Sequence, residues 1–243
     1  MQTLGVAIGL SVLGSLGGLL MASTLLLFDD RIRARIVPWL ISYAVGTLLG
    51  AALLGLLPQA LDQLPPTETL GSLLGGIFTF FVLEKFVLWR HCHTEDCEVH
   101  SSAATLIVVG DALHSAVDGA IVCAAVLTSV PLGISTAIAV AAHEIPQEVG
   151  DFAVLLGAGY SRGRALALNL LSGSAAIVGA VFMFVAVDGA PMVLPYVLPF
   201  AAGNLLYVAM SDLIPDLHRG SVDASAIRQV VLVAVGILTV AWL

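Results

Sequence analysis

Long apolar runs alternate with short polar breaks along the whole chain. The runs fall at roughly 3–28, 38–60, 70–89, 102–128, 131–157, 165–187, 192–213 and 225–243. Each is close to the ~20 residues an α-helix needs to cross the hydrocarbon of a bilayer. The pattern therefore predicts an all-α integral membrane protein of eight transmembrane helices, with residues 1–243 forming one domain. The breaks are too short to hold a separate soluble domain. The first run has no charged leader and no small-residue cleavage site, so it is expected to be a retained span rather than a signal peptide.

Composition agrees with the pattern. The 243 residues are 59% hydrophobic and 11% charged, with a mean hydropathy of +1.03, whereas soluble domains carry about 25% charged residues. The basic residues add an orientation. Arg31, Arg33 and Arg35 follow the first run, and Lys85 and Arg90 close the third. Arg162 and Arg164 separate the fifth and sixth, and Arg219 and Arg228 the seventh and eighth. In an alternating path all nine fall on one side, which the positive-inside rule makes cytoplasmic, with both termini opposite. The net charge of −8 arises largely from acids inside the runs, which points to a cationic cargo and gives no reason to expect a nucleic-acid partner. The lipid bilayer is the partner expected here, with a homodimer left open. Of the three cysteines, Cys92 and Cys97 fall on the cytoplasmic side, where thiols stay reduced, so no disulfide framework is expected.

An internal repeat is visible. "GTLLGAALLGLLP" (Gly46 to Pro58) and "GNLLYVAMSDLIP" (Gly203 to Pro215) share Gly, Leu-Leu, Ala and Pro at equal offsets. The second run points outward and the seventh inward, as in transporters built from inverted repeats, which place their site at the repeat interface near the midplane. That symmetry makes the fourth and fifth runs the central pair.

The central pair carries the polarity. In the fourth run Asp111, His114, Ser115 and Asp118 recur at i, i+3, i+4 and i+7, one helical face. In the fifth, His143, Glu144 and Gln147 cluster, with Glu148 at their edge and Asp151 one turn on. An ionised carboxylate at bilayer depth costs several kcal/mol, and such acids usually face a bundle interior or an aqueous path. Without basic partners their crowding is relieved by protons or a bound cation. Neutral imidazoles beside carboxylates and an amide suit Zn, Fe(II), Mn or Cd better than Cu(I). Pro146 removes a backbone N–H from the middle of the cluster, freeing the Ala142 carbonyl and predicting a kink.

"HSAVDGA" and "HEIPQEVGDFAVLL" together resemble the paired signatures of the ZIP (ZRT/IRT-like) family of divalent metal transporters. "FTFFVLEKFVLW" and "GNLLYVAMSDLIP" resemble the family's third and seventh spans. The resemblance implies eight spans with both termini outside, import of divalent metal with zinc foremost, no prosthetic group, no enzymatic activity and, for a bacterial member, an inner-membrane location. It implies metal ligands at His114, Asp118, His143, Glu144 and Gln147. Ser115 stands where the family usually has Asn, a ligand of the second ion in two-metal members. Gln147 stands where His or Glu is usual, and Ala176 where some bacterial members carry a Glu. These departures imply one well-formed site beside a looser second position. Asp111, Glu148 and Asp151 lie on the cytoplasmic side of the histidines, as an acidic exit path or as packed, protonated acids.

Other signals are weaker. His91, Cys92, His93, Cys97 and His100 crowd the 90–101 loop, for metal capture or simply as a solvated segment. Asn169 and Ser172 share a face, for helix packing or lining the path. Asp212 fits a pathway guard or a solvated acid, and His218 a loop residue. Two other functions compete: a proton permease relaying through the His/Asp chain, and an intramembrane metalloprotease. The latter needs a second His where Gln147 stands.

Overall fold

The computed structural model describes residues 2–89, 99–218 and 224–243. They form eight helical rods and, among the described residues, no strand. These are α1 (Gln2–Leu25), α2 (30–61), α3 (Pro66–Trp89), α4 (Val99–Thr128), α5 (Val130–Gly157), α6 (Arg162–Gly189), α7 (Pro191–His218) and α8 (Ala224–Ala241). Six are long and apolar enough to cross a membrane. The polar middle of α5 dilutes its hydropathy, and α8 is short. Large apolar side chains face outward on most rods, among them Leu54, Phe78, Phe182 and Val230, as lipid contact requires.

Local chemistry sets the ends. The Ser129 side chain accepts from the Leu132 N–H at 3.3 Å, and Pro131 occupies the first turn of α5, so α4 and α5 are joined by a tight reversal. Gly159, at φ 86°, is the only described residue with positive φ and ends α5. The chain enters α6 at Ser161, whose hydroxyl accepts from the Arg164 N–H. Several arginines expected in loops, Arg31, Arg33, Arg35, Arg162 and Arg164, instead belong to the first turns of α2 and α6. A helix begun before the membrane boundary satisfies its backbone while its arginines stay at the polar end. His218, expected in a loop, closes α7, its Nδ1 3.0 Å from the Ile214 carbonyl.

The inverted repeat is present in the packing. α1 lies along α5 and α3 along α7, while α6 lies along α4 and α8 along α2. Exchanging one with six, two with seven, three with eight and four with five converts the first two pairings into the last two. Gly46 lets α2 approach α8, where an added Cβ would sit 2.1 Å from the Val233 carbonyl oxygen. Gly203 does the same for α7 on α3, 2.1 Å from that of Leu73. Both α2 and α7 widen into a π-helix five residues beyond these glycines, at Ala51–Leu56 and Val208–Leu213. The Leu57 N–H bonds the Ala52 carbonyl and the Ile214 N–H that of Ala209, five residues back in each case.

Helix α6 is interrupted once, at Ser174. The Gly173 carbonyl there is held by the buried Ser15 hydroxyl of α1 at 3.1 Å. Below the histidines toward the α4–α5 reversal, an apolar core including Leu48, Leu56, Ile121, Leu132, Leu198 and Leu205 fills the centre.

Candidate metal centre

The α4 face predicted from its spacing meets the polar turn of α5. His114 Nε2 and His143 Nε2 are 3.1 Å apart, and Asp118 Oδ2 lies 3.0 Å from His143 Nε2 and 3.6 Å from His114 Nε2. His143 Nδ1 is 3.1 Å from the Ala139 carbonyl one turn back. In the neutral ring that contact takes the proton on Nδ1, leaving the Nε2 lone pair aimed at the other ring and the carboxylate. His114 Nε2, His143 Nε2 and the Asp118 carboxylate thus converge on one point, where a proton or a cation is needed between them.

Glu144 completes the group. Its carboxylate is fully buried and neither oxygen has a hydrogen-bond partner among the described residues, nor does Asp118 Oδ2. Each of His114, Asp118, His143 and Glu144 offers one ligand atom within 4.8 Å of the others, close enough for one ion. Phe80 packs edge-on against the His114 ring, centroids 5.4 Å apart, which restricts its rotation. α1 reaches the same point: a Cβ on Gly18 would lie 2.8 Å from the Cβ of Glu144, so glycine there lets the two helices close over the carboxylate.

A second group, made only of oxygen ligands, adjoins the first. Asp111, Glu144 and Glu148 also bring one oxygen each within 4.8 Å of one another, so Glu144 belongs to both sets. Glu148 is fully buried, and its Oε1 has no partner among the described residues. Helix α6 holds the other two acids. Asn169 Nδ2 donates to Glu148 Oε2 at 2.8 Å, and the Ser172 hydroxyl donates to Asp111 Oδ2. Both α6 residues are buried. Asn169 and Ser172, expected to serve helix packing or line the path, donate to carboxylates. Their shared face was visible in the sequence, but not that it turned toward α4 and α5.

Gln147 and Ser115 stand apart from the four converging side chains. Gln147 Nε2 donates to Asp111 Oδ1 at 3.2 Å, tying it to the second group. The Ser115 hydroxyl is fully buried without a partner among the described residues. Helix α5 runs on through Pro146 as one element.

Two cavities reach the histidines. The larger, about 490 Å³, is lined by Asp111, His143, Gln147, Asp151, Asp212 and Asp216, among others. Asp151 lies eight residues beyond His143, about 12 Å along the helix, toward the arginine-bearing end. The smaller, about 180 Å³, lies between α3, α4 and α7 and touches Phe80, Glu84, His114, Gln147 and Asp212. Glu84 accepts a hydrogen bond from the Tyr207 hydroxyl across the α3–α7 contact. Asp212 thus borders both cavities from within the α7 π-helix. Among the described residues, no Lys or Arg lines either cavity. The cluster His91, Cys92, His93 and Cys97 lies outside the described residues, as does the side chain of His100, whose backbone already belongs to α4.

A family model described as ZIP zinc transporter matches residues 89–243, which include both histidine helices. Similar curated proteins carry the same kind of name. Zinc transporter ZIP13 of Pongo abelii is 32% identical over 82% of this chain and 64% of its own length. Zinc transporter YKE4 of Saccharomyces cerevisiae is 28% identical over 78% of the chain and likewise 64% of its own length. Zinc transporter ZIP10 of Danio rerio is 39% identical over 49% of the chain but only 14% of its own length. The chain thus spans just under two thirds of the first two relatives. With the family match over most of the chain and the histidine helices inside it, the chain belongs to the ZIP zinc transporter family.

Proposed function

We propose that this protein carries divalent transition-metal cations across a membrane, zinc foremost, toward the side that bears its arginines. The observation that carries this reading is the convergence of the His114 and His143 Nε2 atoms, Asp118 and Glu144 on one buried point with, among the described residues, no basic side chain on the cavities that reach it. Two imidazoles and two carboxylates form a borderline ligand set that suits Zn, with Fe(II), Mn and Cd as competitors. A divalent ion takes up the converging ligand atoms and neutralises acids that would each cost several kcal/mol at bilayer depth.

From the first group the ion passes to Asp111 and Glu148 through the shared Glu144. The weak Ser115 hydroxyl and the all-oxygen set make this second position the looser of the two. Asp151, Asp212 and Asp216 along the larger cavity then draw the ion toward the arginine-bearing face. By the positive-inside rule, the arginine-bearing face is cytoplasmic, the two termini lie opposite, and the movement is import into a cell.

The relatives' printed names support zinc as cargo. The metalloprotease reading fails twice: Gln147 stands where a second zinc-binding His is needed and is bonded to Asp111, and the family is one of transporters. The test is initial-rate zinc uptake into proteoliposomes with competing divalent ions. Saturable uptake inhibited by Cd and Mn but not by excess Mg is expected. Uptake indifferent to all divalent ions, with proton flux instead, would return the molecule to a proton permease.

A further inference from the structure

Helix α6 is two helices in one rod, Arg162–Gly173 and Ala175–Gly189, parted at Ser174. The second is fixed to the ligand turn of α4. Added Cβ atoms on Gly119 and Gly179 would sit 1.9 Å from the Ala176 carbonyl oxygen and 1.7 Å from that of Ala116, so the two backbones touch. The first holds the acids, through Asn169 on Glu148 and Ser172 on Asp111. Hydrogen bonds set the break between them. The Ile177 N–H, which an unbroken helix would give to Gly173, bonds the Ser174 carbonyl at 3.1 Å. The Ser174 hydroxyl donates to the Leu171 carbonyl at 2.6 Å. The Gly173 carbonyl left over accepts from the Ser15 hydroxyl of α1 at 3.1 Å. Ser15 differs here from other hydroxyls of α1. Ser23 and Thr24 donate to the Leu19 and Met21 carbonyls of their own helix, the common choice of a helical hydroxyl. Ser11, one turn before Ser15, is buried without a partner among the described residues.

We propose that Ser15 is a positioning residue for the second, all-oxygen position, acting through the break in α6. The Ser172 hydroxyl has one proton to donate. Asp111 Oδ2 competes for it with the Leu168 and Asn169 carbonyls of its own helix, at 3.2 and 3.1 Å. While Ser15 occupies the Gly173 carbonyl, the helix stays open across Ser174 and the Ser172 proton is aimed at Asp111. Without Ser15 that buried carbonyl is unpaired, which is costly, and it recovers a partner by taking the Ile177 N–H. The turn then closes, Ser172 falls back on its own helix, and Asp111 loses its donor. This role rests on the reading of Asp111, Glu144 and Glu148 as a position the ion occupies. The histidines, on α4 and α5, are not part of the linkage.

Equilibrium dialysis of the purified protein in detergent against zinc tests this apart from transport. The wild type should bind zinc in two classes, one tight and one loose. Ser15→Ala should weaken the looser class about tenfold, the low end for an outer partner of a ligand, and the tighter class less than about threefold. In proteoliposomes the same variant should lower maximal uptake about tenfold with the half-saturating zinc concentration nearly unchanged. Ser15→Thr keeps the hydroxyl and should restore both, and Ser11→Ala should behave as wild type. Should Ser15→Ala fail to fold, Gly173→Ala reaches the same bond from the other side. Its methyl would lie 3.0 Å from Ser15 Oγ, and it should weaken the looser class alike. In a Ser172→Ala background the link to Asp111 is already cut, so Ser15→Ala should add less than about threefold. A single class of zinc in the wild type, equal losses in both classes, or full additivity with Ser172→Ala would overturn the proposal. Two classes with the expected Ser15 effect but no uptake would overturn transport and leave the role of Ser15 standing.

Discussion

His143 shows how much one side chain can settle. Its Nδ1 is committed to the Ala139 carbonyl, so its Nε2 is presented to the cavity whether or not cargo is there. His114 Nε2, Asp118 and Glu144 complete the set. Outer partners of metal ligands are typically worth 10–100-fold in affinity or activity, and losing a ligand itself should cost at least as much. Zinc bound to the protein is therefore expected to show, by X-ray absorption, two imidazole nitrogens and carboxylate oxygens at about 2.0–2.1 Å, one imidazole fewer in His143→Ala, and no sulfur at about 2.3 Å. A sulfur shell would move the tight site to Cys92 and Cys97. The sequence grouped His114 with Asp118 because i,i+4 spacing fixes a helix face, and the structure brings that face to His143. The sequence could not place Asn169 and Ser172, since a face on α6 says nothing of the helix it abuts. Asn169→Ala frees Glu148 Oε2 and Ser172→Ala frees Asp111 Oδ2, and each should slow zinc uptake about 10–100-fold while leaving equilibrium binding at the two histidines within a few-fold. A matching loss of affinity would place these residues in the tight site.

Among the elements, α2 and α7 bear the most information. The Gly-to-Pro repeat in the sequence predicted their kinship, and the structure extends it to the backbone hydrogen bonds, with π-helices at corresponding places. The π geometry was not legible, because in an evenly apolar segment a slip from i→i+4 to i→i+5 leaves the hydrophobic pattern unchanged. Its consequence differs between the halves. In α2 the widened turn packs into the apolar core through Ala51, Ala52 and Leu56, whereas in α7 it presents Asp212 to both cavities. Such single-turn π segments occur often at functional sites. Deleting Met210, an outward-facing residue of the α7 π-helix, should restore α-helical bonding and leave the residues beyond the segment in phase, because the π segment holds one residue more than the α-helical turns it replaces. The widened turn that presents Asp212 to both cavities is then lost, so uptake should fall while the circular dichroism stays helical. Undiminished uptake would show that the π-helix does not set the path.

At the scale of the whole molecule, charge is sorted twice: among the described residues, Arg31, Arg33, Arg35, Lys85, Arg162, Arg164 and Arg228 lie toward one end of the rods, and aspartates line the cavity leading from the histidines toward it. The basic segregation was open to reading from the sequence, because Lys and Arg positions alone determine it. The joining of acids from α4, α5 and α7 into one cavity was not, because it depends on three-dimensional packing. Metal competes with protons for the same atoms, and ligands must lose protons to bind. Affinity for zinc should therefore be full above the histidine range and decline as pH falls through about 7 to 6, measured by equilibrium binding from pH 5.5 to 7.5. A flat profile would remove the imidazoles from the site. Asp151→Asn/Asp216→Asn, beyond the tight site, should slow net uptake more than it weakens binding, and equal losses would put those acids among the ligands. The central claim is that cargo crosses through the point where both histidines meet Asp118. The most direct measurement is initial-rate zinc uptake by proteoliposomes holding equal amounts of folded wild-type protein and Asp118→Ala, which leaves both rings in place but removes the carboxylate between them. Saturable uptake in the first and none above empty vesicles in the second is the predicted result; wild-type uptake in Asp118→Ala would contradict it.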